Sequence, residues 1–239
     1  MKALFFGSIG SIVETSEIQR QSYNLAFKDL GINWYWNIAT YCKLLANPGG
    51  KKRLKEYSNN SLDEKIINLI HAKKEEHYEN FLLNPLDPRK DVKNIIDLCL
   101  EKNINLGFIT TTSLKNINSI KHALSNSIDF SNFNIITSIE DVEIPKPNSE
   151  IYFQSLKKME LNKNEVYAIE DSRINQLSAA KAGIESHRLT TGFGGLGVHV
   201  VGAAAWQTAA AQPVLRAHGT RPSTRCRARE RRKALHWRG

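Results

Sequence analysis

At 239 residues the chain is long enough for one sizeable core and a smaller inserted domain. It has no apolar run of the ~18 residues that a membrane-spanning helix needs, and its N-terminus lacks the charged, apolar and small-residue succession of a signal peptide, so neither is predicted. The net charge of +9 is local: from Arg216 onward eight arginines and Lys233 face one acid, Glu230, so the body has no electrostatic case for nucleic acid.

In chain order, Ala3-Leu4-Phe5-Phe6 reads as a strand buried on both faces, followed by the small-residue turn Gly7-Ser8-Ile9-Gly10-Ser11. Residues 18–30 carry apolar positions at helical spacing and stop at Gly31. Residues 34–46 predict a second helix, Gly49-Gly50 a break, and 51–57 a short basic helix. Ser61-Leu62-Asp63-Glu64 has the pattern of a capping box opening a long helix with a face of Ile66, Ile67, Leu69, Ile70, Tyr78 and Phe81. Pro85 and Pro88 mark the return. From Asp91 helix and strand alternate, the signature of a parallel sheet. Helices are predicted over 92–100, 114–124, 149–161 and 175–182, and strands over 104–110, 134–137, 166–169 and 187–190. Cys42, Cys99 and Cys226 are odd in number and far apart, as in reduced cytosolic proteins.

Four segments, in this order, resemble the motifs of the haloacid-dehalogenase (HAD) phosphotransferase superfamily, in its β-phosphoglucomutase/CbbY-like branch. They are the first strand with its turn, Thr110-Thr111-Thr112-Ser113, Ile144-Pro145-Lys146-Pro147, and Glu170-Asp171. The resemblance covers residues 1 to about 190 and implies an α/β fold. That fold is a HAD-like doubly wound parallel sheet (a Rossmann-like core, residues 1–15 and 89–190) with an inserted all-helical cap (16–88). It further implies that Thr110 binds phosphate through its hydroxyl, that Lys146 neutralises phosphate charge, and that Glu170 and Asp171 hold Mg²⁺. Gly10, Ser11, Thr111 and Asn116 fall in the substrate-binding loops. In the cap, Gln19, Arg20, Lys51 and Arg53 take the substrate-selecting positions, with Pro48 where a third Gly is usual. Each residue alone also has an ordinary reading: Thr110 as a helix cap, Lys146 as a solvated loop charge, Glu170-Asp171 as a helix start, and Lys51 with Arg53 as a solvated basic face.

The departures are in the first motif. Gly7 stands where the family has its nucleophilic Asp, and Ile9 where it has the general acid/base Asp, so both positions are vacant. Loss of a positioned acid/base removes about 10²–10⁴-fold of rate. Loss of the nucleophile as well leaves background activity, and Mg²⁺ binding is weakened or absent. The expectation is therefore a sugar-phosphate phosphohydrolase or phosphomutase scaffold, monomeric and cytoplasmic, that is catalytically impaired. A non-catalytic sugar-phosphate-binding protein and nucleic-acid binding through the Arg-rich tail are the alternatives.

Composition also shifts near Thr190, beyond which Ala, Gly and Arg replace Asn, Ile and Lys. The segment 191–239 is expected to be foreign to the family, frameshifted or fused, and unstructured. Its Gly192-Phe193-Gly194-Gly195-Leu196-Gly197 satisfies a dinucleotide-binding pattern but lacks the acid about twenty residues on.

Overall fold

The computed structural model describes residues 1–45 and 49–189. Pro48 and the expectations for the C-terminal tail lie outside these residues.

The centre is a five-stranded parallel sheet in the order β3-β2-β1-β4-β5. Its strands are β1 (Ala3–Phe6), β2 (Asn105–Phe108), β3 (Ile135–Ile136), β4 (Val166–Glu170) and β5 (Glu185–Arg188). β1 lies in the middle, paired Leu4 to Leu106 on one side and Leu4 to Tyr167 on the other. None of its residues is more than 1% exposed, which is why it reads as an uninterrupted apolar run. Alternation splits its side chains between two clusters: Leu4 and Phe6 with Phe108, Ile117 and Phe133, and Ala3 and Phe5 with Tyr152, Val166 and Ala168.

The helices are α1 (Ile9–Ile12), α2 (Ser16–Asp29), α3 (Ile38–Leu44), α4 (Gly50–Tyr57), α5 (Glu64–Leu82), α6 (Val92–Glu101), α7 (Leu114–Ala123), α8 (Glu150–Lys158) and α9 (Arg173–Lys181). Between β1 and α6 the chain is helical, and α2 to α5 share an apolar cluster of Tyr23, Phe27, Trp36, Tyr41, Leu54, Ile67 and Ile70. The C-terminal half of α5 joins the other layer: Tyr78 and Leu82 pack in the cluster around Leu4 and Phe6. Lys115 on α7 reaches Glu79 on α5 at 2.7 Å.

Three boundaries differ from expectation for identifiable reasons. The helix expected from Trp34 begins only at Ile38, because Asn37 caps it by accepting from the Thr40 N–H at 2.8 Å. Trp36 is instead held extended by the Asn24 amide, which accepts from its N–H at 2.8 Å and donates to its carbonyl at 3.0 Å. This places its ring 4.7 Å from Tyr23 and 4.9 Å from Phe27. The capping box does not form on Ser61: Asp63 is the cap and accepts from the Ile66 N–H at 2.9 Å, while Glu64 pairs with Lys55 at 2.8 Å. The last strand is Glu185–Arg188 and not 187–190, in register with β4 at Tyr167 to Glu185.

Trp36 is fully enclosed by the aromatic rings of this helical cluster. Trp36→Ala is expected to cost about 3–5 kcal/mol of stability, the usual range for deleting a buried aromatic, measured by urea denaturation.

Candidate active site

The strand ends converge. Gly7 follows β1, Ile109 and Thr110 follow β2, and Glu170 is the last residue of β4, all at the C-terminal edge of adjacent strands. In an open α/β sheet this edge is where ligands bind. The loop before α8 brings in Lys146 from the side. The Glu150 carboxylate pins that loop, accepting from the N–H groups of Glu143 at 3.1 Å and Ile144 at 3.0 Å, and these two donors hold its pKa below the usual range.

Lys146 is no solvated loop charge: its side chain is 5% exposed. Its ammonium donates to the Gly7 carbonyl, to the Ile109 carbonyl at 2.9 Å, and to Glu170 Oε1 at 2.6 Å. It lies 3.2 Å from the Tyr152 hydroxyl, which itself donates to Glu170 Oε1. Glu170 is wholly buried; desolvation pushes its pKa up, against the pull of Lys146. Burial, and then the neighbouring Glu170 charge, pushes the Tyr152 phenol well above its ordinary value, so the phenol stays protonated. A Cβ built on Gly7 would collide with the Glu170 carboxylate and the Tyr152 hydroxyl. The space beside position 7 is therefore filled by the neighbouring strand and helix.

The backbone carbonyls of the turn are also engaged, while the buried Ser8 hydroxyl has no hydrogen-bond partner among the described residues. Ser11 is not presented to a ligand: it is fully buried, and its hydroxyl donates to the Ser8 carbonyl at 2.6 Å. The Ile9 carbonyl accepts from the Val13 N–H at 2.9 Å, and the Gly10 carbonyl from Arg89 Nε at 2.6 Å. The Ile9 side chain packs against the larger apolar cluster. Asp171 lies against Gly10, so closely that a Cβ there would meet its carboxylate, and accepts from the Asn175 amide at 3.0 Å. Neither acid starts the following helix; Ser172 caps it, accepting from the Asn175 N–H.

Thr110 does not cap α7, a role taken by Ser113. Its N–H donates to Thr137 Oγ1 at 3.0 Å, that hydroxyl donates back to the Thr110 carbonyl at 2.9 Å, and Thr110 Oγ1 accepts from the Thr112 N–H at 3.2 Å. The Asn116 amide donates to Thr112 Oγ1 at 3.1 Å and leaves Oδ1 buried without a partner. Thr111 is half-buried beside them.

In the helical layer the expected residues separate. Lys51 is exposed, as a solvated basic face requires, but Arg53 is buried, donating to the Leu44 carbonyl at 3.1 Å and lying over the Tyr41 ring. Arg20 is a structural residue: Glu17 holds it at 2.5 Å and it donates to the Trp36 carbonyl at 2.7 Å, so it is not offered to a ligand. Gln19 is half-buried, on the side of α2 that faces Tyr78. Two basic residues are not evident from the sequence motifs. Lys74 is buried between Tyr78 and Tyr23, with Glu75 at 2.9 Å, and burial lowers its pKa. His71 lies where a Cβ on Gly50 would touch it, and burial lowers its pKa too. A signal was present: Ile67, Ile70, Lys74 and Tyr78 form one stripe of α5, and a lysine on an apolar stripe is out of place.

The haloacid dehalogenase-like hydrolase family matches residues 10–188. The chain belongs to that family. Protein CbbY of Rhodobacter capsulatus is 30% identical over 188 residues, spanning 77% of this chain and 83% of that protein. Protein CbbY of Cereibacter sphaeroides is 28% identical over 185 residues, spanning 76% and 80%. Among solved structures, CbbY from Rhodobacter sphaeroides in complex with phosphate superposes with a TM-score of 0.73 at 25% identity, covering 84% of this chain and 91% of that one. A mutant of the same protein in complex with xylulose-(1,5)bisphosphate gives 0.73 at 26%, covering 81% and 88%. The doubly wound parallel sheet is thus the family's, and the scaffold is that of a HAD-like phosphatase related to CbbY.

Filling of the space at position 7 sets the expected response to substitution. Gly7→Ala should destabilise by about 1–3 kcal/mol through overpacking, and by less in a Glu170→Ala background, because the two changes share one space; chemical denaturation of both pairs checks this. Lys146→Ala should cost about 3–5 kcal/mol, since it strands a buried carboxylate.

Proposed function

We propose that the chain is a sugar-phosphate-binding HAD-like scaffold in which phosphoryl transfer is disabled. The observation that carries this reading is at the end of β1, where the family's first Asp would stand: Gly7 offers no nucleophile, and Glu170 and Tyr152 occupy the space beside it. Ile9 has no group that can move a proton to a leaving oxygen. The Tyr152 hydroxyl and Glu170 Oε1 are engaged with each other and with Lys146, which places both on the ammonium rather than at a nucleophile position. Without a covalent nucleophile or an acid/base there is no reacting group left to position, and the rate falls to near background.

The residues around Gly7 do not fit the Mg²⁺ that the family generally uses. A hard divalent cation takes several free oxygen ligands in near-octahedral array. Here the carbonyls of Gly7, Ser8, Ile9 and Gly10 each already accept a hydrogen bond. Glu170 Oε1 faces an ammonium, and no group of three or more His, Cys, Asp or Glu side chains able to hold a metal occurs among the described residues. The proposed assignment of Glu170 and Asp171 as Mg²⁺ ligands therefore applies to the ancestral site and is weakened or lost in this chain.

Ligand binding draws on different residues. Thr110, Thr111 and Asn116 would hold a phosphate at the strand edge, and the exposed Lys51 of α4 supplies a cation suited to a second phosphate. The substrate class is a phosphorylated pentose or hexose, supported by the xylulose-(1,5)bisphosphate held by the CbbY structure. The reading carries with it a monomeric, cytoplasmic protein; the scattered cysteines support the reducing compartment only.

Incubation with xylulose 1,5-bisphosphate or hexose phosphates and Mg²⁺ should release no phosphate above background, while calorimetry detects binding. Lys51→Ala should weaken that binding about tenfold, the loss of roughly 1.4 kcal/mol. Mg²⁺-dependent turnover would overturn the proposal.

A further inference from the structure

The surroundings of the Lys146 ammonium are those of a bound cation. Two backbone carbonyls (Gly7 and Ile109), one carboxylate oxygen (Glu170 Oε1) and one phenol oxygen (Tyr152) replace its hydration shell, and the Tyr152 ring centre lies 4.6 Å away. Carbonyls, carboxylates and hydroxyls are also the oxygen types that a hard divalent ion collects. We propose that the Lys146 ammonium is the resident cation of this centre and excludes divalent metal ions from it.

Two further observations support this assignment. The first is charge: Lys146 and the wholly buried Glu170 neutralise each other inside a region with 5% and 0% side-chain exposure, so an added doubly charged ion would face an ammonium with the single charge of Asp171, beside Gly10, left to balance it. The second is the other carboxylate oxygen. Glu170 Oε2 is buried and has no hydrogen-bond partner among the described residues, while the ammonium engages Oε1 alone. With the ammonium removed, both carboxylate oxygens of Glu170 become available to a divalent ion. The cation role thus depends on the Lys146 side chain, which reaches the Gly7 carbonyl and Glu170 Oε1 beside the space that Glu170 and Tyr152 fill. It does not depend on sugar-phosphate binding: a chain that binds no sugar phosphate can still carry its own ammonium here.

The test uses the full chain and Mn²⁺ as the probe, followed by electron paramagnetic resonance of free Mn²⁺ and by calorimetry. The wild-type chain should show no saturable Mn²⁺ binding up to about 1 mM. Lys146→Met, which keeps the stem and removes the charge, should gain at least about tenfold in Mn²⁺ affinity, and adding Glu170→Gln should abolish the gain. Wild-type binding below about 1 mM that Glu170→Gln removes would overturn the proposal, as would a folded Lys146→Met chain without the gain. If circular dichroism shows Lys146→Met to be unfolded, Lys146→Gln takes its place under the same criteria, and the wild-type titration decides the exclusion by itself. Sugar-phosphate binding, read separately by calorimetry in metal-free buffer, keeps failure of this inference distinct from failure of the functional reading.

Discussion

Everything in this molecule is arranged about the short strand β1. It is hydrogen-bonded on both edges, to β2 and β4, and covered on both faces, so its four residues see no water. A strand so enclosed ends at a fixed place, and the next residue must be small, or polar with its partners satisfied. Gly7 meets that demand by letting the adjacent strand and helix close in. The chain thereby keeps its family's parallel sheet with a glycine at the end of the central strand.

The consequence is a local reorganisation of charge. With no carboxylate at position 7, the Lys146 ammonium has Glu170 as its anion, and the pair is buried together with the Tyr152 phenol. A buried ion pair is weak evidence for stability in itself, because desolvation offsets most of the attraction. Here its meaning is positional. The pairing commits Lys146 and Glu170 to each other at the C-terminal edge of the sheet. The helical layer is a second, independent collection of cations, where Arg53 and Lys74 are held against tyrosine rings.

Much of the site is legible in the sequence because it depends on residue order and strand ends. Thr110, Lys146, Glu170 and Asp171 each follow or end a strand, or lie in a loop beyond one, and a parallel sheet gathers such points at one edge. Tyr152 is not legible, since on α8 it reads only as an apolar face residue. Lys74 and His71 escape notice because a charged residue on a helix is ordinarily solvated. Arg20 and Ser11 belong to ligand binding by position, but local partners claim them: Glu17 three residues away, and the Ser8 carbonyl. Such short-range competition is invisible to reasoning from motif order.

The amino-acid sequence by itself determined the fold class, the alternation of strand and helix after residue 91, and the absence of a carboxylate at positions 7 and 9. Those follow from periodicity, from punctuation by Gly and Pro, and from the identity of single residues. Tertiary structure alone decided what fills the place left by that carboxylate, because the answer depends on β4 and α8, more than a hundred residues away, closing on a glycine without a side chain. It also decided which cations are buried and which are solvated. Arg53 and Lys51 are two residues apart and chemically alike, and only packing distinguishes them.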